Sequence, residues 1–145
     1  MLFIEIIEDI LKDLSPQYIV TLKLHPRISG KEIYNNAFQG NDRVIVTQEG
    51  IIYDYLSVSK YIIGDTSTVL YEAAALEKKV FVIDTEMSRE WMSKDFGIWI
   101  KDGKEFVEKM NREQENKNKY TSKDYFADNW EENYSNFLNE IVYSK

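Results

Sequence analysis

The sequence predicts an α/β domain, a parallel sheet wound by helices on both faces. Two observations carry that prediction. Short β-rich runs alternate with helical spacings about five times along the 145 residues, the order that builds βαβ units. The runs Tyr18–Leu24 and Val80–Ile83 are largely apolar, as expected of parallel strands buried on both faces.

The elements follow in order. Phe3, Ile6, Ile7, Ile10 and Leu14 share one face of an opening helix, with Glu5, Glu8, Asp9, Lys12 and Asp13 opposite. Ser15-Pro16 stops it. The first strand, Tyr18–Leu24, runs into His25-Pro26. A polar stretch from Arg27 to Asp42 leaves room for a short helix over 31–38. Arg43–Thr47 reads as the second strand, Ile51–Ser59 as a short helix and Lys60–Ile63 as the third strand, ended by Gly64-Asp65. Thr66–Lys78 has the alanines and apolar spacing of a helix. Lys79–Ile83 is the fourth strand, Met87–Lys94 a helix and Phe96–Ile100 the fifth strand. Asp102 and Glu105 are spaced to cap a helix reaching Arg112. Residues 113–123 are almost wholly polar and read as a loop. Asp128 and Glu131 then open a last helix with a stripe of Trp130, Tyr134, Phe137, Leu138 and Ile141. The whole, residues 1–145, reads as one Rossmann-like domain.

Composition excludes several functions. With no cysteine, thiol catalysis and thiolate metal sites are ruled out, and a single histidine rules out a multi-histidine metal centre. The formal charge of −7 argues against a nucleic-acid groove, which needs a basic excess. No run is long enough to span a membrane, and the acidic amphipathic start is unlike a secretory signal. The expected compartment is the cytoplasm. No Gly-x-Gly-x-x-Gly or Walker loop is present.

In such folds ligands bind at the carboxyl ends of the strands, so the residues after each strand are the candidates. His25 ends the first strand. Lys23 shares its strand face, and Arg27 follows, making a local cationic group. Thr66, Ser67 and Thr68 stand at a strand-to-helix junction, where hydroxyls and backbone N–H groups suit a phosphate. Helix capping by Asp65 or Thr66 is the plainer use of the same residues. Glu72 is placed to meet a ribose hydroxyl or to lie on a helix surface. Asp84 and Glu86, after the fourth strand, suit either a polar ligand group or a cap.

The strings LKLHPRIS and LSVSKYIIGDTSTVLYEAAALEKKVFVID resemble the carboxyl-terminal half of GT-B-type transferases that build bacterial surface polymers. The resemblance is strongest to the CDP-glycerol glycerophosphotransferases of teichoic acid synthesis. Bacterial sialyl- and polysialyltransferases share the His-Pro and Ser-Ser/Thr motifs. The resemblance covers Tyr18 to Asp84 and implies a nucleotide-donor-binding domain. It implies that His25 contacts or protonates the donor phosphate, and that Ser67 and Thr68, after Asp65, hold the phosphates; on that reading Thr66 joins them as a phosphate ligand, and Lys23 or Arg27 helps a protonated His25 stabilise charge on the leaving phosphate. It places Glu72 near the ribose. The motif usually reads Asp-Tyr-Ser-Ser, whereas Asp65-Thr66-Ser67-Thr68 stands here, which leaves CDP-glycerol, a CMP-sugar and a UDP-sugar all open as donor. No tightly bound cofactor or metal is implied. A GT-B enzyme needs a second, acceptor-binding domain, so the expectation is an excised domain or half of a split enzyme, inactive alone. Attachment to the inner face of the membrane would come through parts outside this chain. Two other readings stay open: a non-catalytic α/β module that binds a small molecule or protein, and part of a nucleotide-sugar epimerase.

Overall fold

The computed structural model describes residues 2–27 and 29–112, together with Asn129, Glu132 and Asn136. The polar loop 113–123 and the Trp130–Ile141 stripe therefore lie outside the described segments. Helix α1 (Leu2–Asp13) leads into β1 (Val20–Lys23), α2 (Lys31–Ala37), β2 (Val44–Thr47), α3 (Ile52–Val58) and β3 (Tyr61–Gly64). Then come α4 (Val69–Ala75), β4 (Lys79–Ile83), α5 (Glu86–Trp91), β5 (Ile98–Ile100) and α6 (Gly103–Arg112). Every strand pairing is parallel: Val20 stands beside Val44, Tyr61 beside Lys79 and Phe81 beside Ile98.

β4 shows how the two faces are wound. Val80, Phe81, Val82 and Ile83 are all buried, at 5% exposure or less. Successive side chains of a strand point to opposite faces. Phe81 and Ile83 thus enter a core with Ile6, Ile10 and Leu14 of α1 and its end, and with Phe106, Val107 and Met110 of α6. Val80 and Val82 enter a second core with Leu56 of α3, Leu70 and Ala73 of α4, Met92 and Phe96. This is a Rossmann-like, doubly wound arrangement. Phe81 and Phe106 meet edge to face at 4.7 Å across the first core. Gly97 has φ +64°, and a Cβ there would sit 3.1 Å from the Val80 carbonyl oxygen; glycine is what lets the chain turn tightly into β5.

The structure departs from the sequence reading in three ways. The strands form two sheets, β1–β2 and β3–β4–β5, rather than one. β1 is not buried on both faces: Thr21 is exposed, and Ile45, its register partner on β2, is 48% exposed. With neighbours on fewer sides, this outer pair leaves one face open. The helix expected from Thr66 begins only at Val69, because Ser67 and Thr68 form a turn before it. There the Leu70 and Tyr71 N–H groups donate to the Ser67 and Thr68 carbonyls at 3.0 Å.

Side chains close the helix ends. Asp102 accepts from the Glu105 N–H at 2.7 Å, as a capping residue should. Glu105 reaches back to the Lys101 N–H rather than to that of Asp102. Arg43, just before β2, donates to the carbonyls of Leu14 (2.8 Å) and Ser15 (3.2 Å), tying the end of α1 to the start of β2. Among the described residues, no helix is long and apolar enough to cross a membrane.

Candidate functional site

Within each sheet the strands are parallel, so the polar loops that follow them gather at that sheet's carboxyl edge. At the end of β1, Lys23 Nζ donates to the Gln48 carbonyl at 2.9 Å and to the Leu24 carbonyl at 3.4 Å, and lies 5.8 Å from the Tyr55 ring centroid. Lys23 therefore fastens the ends of β1 and β2 together with two of its three N–H donors, leaving one for an anion. His25, Pro26 and Arg27 are exposed. The His25 carbonyl accepts from Gln48 Nε2 at 3.2 Å, and its ring Nδ1 accepts from the Arg27 peptide N–H at 3.2 Å. The imidazole is thus pinned on one side and presents its other edge to solvent. Gln48 is not among the sequence-based candidates, although its place directly after β2 is the same strand-end signal that singles out His25.

At the end of β3, Asp65 turns inward. Its Oδ1 accepts from the Thr66 N–H at 2.7 Å, so the carboxylate lies against its own loop. Ser67 Oγ accepts from the Val69 N–H at 3.3 Å, the capping use of a hydroxyl. Its O–H hydrogen stays available as a donor. Thr66 Oγ1 lies 3.7 Å from Met87 Sδ, which brings the first turn of α5 against this loop. Neither of these hydrogen bonds of His25 reaches Thr66, Ser67 or Thr68.

Glu72, in the first turn of α4, accepts a hydrogen bond from the Tyr53 phenol. That bond, reinforced by the carboxylate's charge, raises the pKa of Tyr53 above the ordinary tyrosine value. Glu72 is therefore partnered across α3 and α4, a role its helix position alone did not reveal. After β4, Asp84 Oδ1 accepts from Arg89 Nε at 2.6 Å, and this bond holds the carboxyl below the usual range. The cap of α5 is Thr85, not Asp84: its hydroxyl accepts from the Ser88 N–H at 2.9 Å while Ser88 Oγ accepts from the Thr85 N–H at 2.8 Å.

The fold defines an α/β domain of the Rossmann-like class, with a His-Pro turn at the carboxyl end of β1 in one sheet and a hydroxyl-bearing loop at the carboxyl end of β3 in the other. Residues 6–136 match the family model described as CDP-Glycerol:Poly(glycerophosphate) glycerophosphotransferase. The chain belongs to that family. No curated protein and no solved structure matches it.

Proposed function

We propose that this chain is the donor-binding half of a GT-B-type glycerophosphotransferase that builds a teichoic-acid-like polymer. The family match over residues 6–136 carries the reading. The positions of the His25 turn and the Thr66–Thr68 loop, each at the carboxyl end of a parallel strand, support it. The donor is CDP-glycerol. A terminal hydroxyl of the growing polymer attacks the phosphorus that carries glycerol. That oxygen–phosphorus bond forms as the bond to the cytidine phosphate breaks, and CMP departs with the displaced electron pair. His25 donates to the leaving phosphate, and Thr66, Ser67 and Thr68 hold the phosphates with Arg27. Lys23 contributes by fixing the strand ends, and Glu72 faces the ribose. A second domain or subunit supplies the acceptor and the base that takes its proton. No metal or tightly bound cofactor enters the reaction, which runs in the cytoplasm.

One observation favours a second reading, a non-catalytic α/β module: Ser67 and Asp65 both accept from N–H groups of their own loop. Amide NMR titration of the chain with CDP-glycerol, CMP, UDP and UDP-N-acetylglucosamine separates the two. Saturable shifts at His25 and residues 66–68, strongest with the cytidine ligands and about tenfold weaker in affinity in His25→Ala, support the transferase. Shifts led by the uridine ligands replace CDP-glycerol with a sugar nucleotide. No shift at millimolar ligand in a folded sample leaves the binding module.

A further inference from the structure

His25 is held at two points. Gln48 Nε2 donates to its carbonyl at 3.2 Å, and the Arg27 peptide N–H donates to Nδ1 at 3.2 Å. Pro26 between them has its φ fixed near about −65°, so the turn that aims the Arg27 N–H at the ring is built into the backbone. A ring nitrogen that accepts a hydrogen bond carries no proton, so the single proton of the neutral imidazole sits on the other nitrogen. In this chain that nitrogen is Nε2, on the exposed edge of the ring.

We infer that the Arg27 peptide N–H locks His25 in its Nε2–H tautomer, with Gln48 positioning the peptide that carries the ring, so that a neutral imidazole presents a hydrogen-bond donor at the carboxyl end of β1. That the donor faces a ligand phosphate rests on the proposed function; the tautomer lock does not. The lock gives Arg27 a task that its side chain does not perform. It also changes how His25 serves the leaving phosphate. The ring donates a hydrogen bond through Nε2–H without a second proton on Nδ1, because a proton there would displace the Arg27 N–H. Gln48 acts on the same geometry from the β2–α3 loop, holding the peptide from which the ring projects.

His25 is the only histidine, so nitrogen NMR of the uniformly labelled chain reads its two ring nitrogens without ambiguity. At mildly alkaline pH the expected spectrum has a protonated Nε2 and an unprotonated Nδ1. Arg27→Ala, which keeps the peptide N–H, gives the same spectrum. Arg27→Pro, which removes that N–H, raises the Nδ1–H population severalfold. A wild-type ring protonated mainly on Nδ1, or an Arg27→Pro spectrum unchanged from wild type, overturns the inference. Because an unrestrained imidazole already favours Nε2–H, where the proline variant does not fold the comparison is with the urea-unfolded chain, and a folded wild-type Nδ1–H population no lower than there overturns the inference. With CDP-glycerol added, movement of Nε2 with Nδ1 still unprotonated supports the neutral donor, whereas protonation of Nδ1 in the complex overturns it. A locked tautomer with neither nitrogen responding to CDP-glycerol upholds the lock and refutes the donor role instead.

Discussion

Gly103→Ala tests the packing that holds the first core together. Gly103 opens α6 where that helix crosses α1. A methyl group there would press on the Ile6 carbonyl oxygen and lie 2.5 Å from the Ile10 nitrogen and 2.7 Å from Asp9 Cβ. Ordinary carbon contacts run near about 3.5–4.0 Å, so the helices must part by about 1 Å. A gap of that size forfeits about a quarter to a half of the dispersion attraction of the atoms lining it. The lining includes Ile6, Ile10, Phe106 and Val107, each at 4% exposure or less and worth about 1.5–3 kcal/mol when fully buried. With about 1–3 kcal/mol of overpacking strain added, the expected loss is about 3–9 kcal/mol. That is a large share of a domain's stability of about 5–15 kcal/mol. Helix propensity alone would favour alanine by about 1 kcal/mol, so the sign is itself diagnostic. Equilibrium urea unfolding measures the change. Gly40→Ala is the control: φ there is +77°, with nothing within 4 Å of the new carbon, so only conformational strain of about 1–2 kcal/mol applies. The reasoning is refuted if Gly103→Ala costs no more than Gly40→Ala.

Three further outcomes are expected. Ser88 is fully buried, and its Oγ lies 2.6 Å from the Ile83 carbonyl oxygen and 2.8 Å from the Thr85 nitrogen. Ser88→Ala therefore costs about 1–3 kcal/mol in urea unfolding, and an unchanged midpoint would show that the capping box is dispensable. Asp84 has a folded pKa below its unfolded one because Arg89 bonds it, so its contribution is present above the usual carboxylate range and fades as pH falls through the folded value. Asp84→Asn should thus be slightly less stable than wild type at neutral pH, with the difference closing in acid; a gap that widens in acid reverses the assignment. In Glu72→Gln the Tyr53 phenol should titrate lower, towards the ordinary tyrosine value, as followed by carbon NMR of its ring. No movement would mean that the Tyr53–Glu72 bond does not form in solution.

The sequence disclosed element types better than element partners. Lys79–Ile83 is legible to the residue because Val80–Ile83 is an unbroken apolar run, buried on both faces, set between the polar residues Lys78-Lys79 and Asp84. The start of α4 was misplaced by three residues: Ser67 and Thr68 satisfy their groups locally, and hydroxyl residues offer the backbone that alternative to helix. The open face of β1 and β2 was not legible, since burial of a strand depends on which elements lie beside it rather than on its own composition. The His-Pro and Thr-Ser-Thr loops stood out as short motifs at strand ends. Their local bonds did not. That Lys23 would bond the Gln48 carbonyl, and Glu72 the Tyr53 phenol, follows from contacts 25 and 19 residues distant in the chain, which no periodicity encodes.

The division of the strands into two sheets runs between the two motifs. His25 is carried by β1–β2 and Thr66–Thr68 by β3–β4–β5. What joins the halves is side-chain packing, such as the edge-to-face contact of Tyr18 with Tyr61 at 6.1 Å and Val20 against the first core. Among the described residues, no ladder of backbone bonds joins the two sheets. The spacing of His25 from Thr66–Thr68 is therefore set by core packing between the sheets rather than by strand pairing, so a substitution in that packing would shift the two loops relative to each other while leaving both ladders paired.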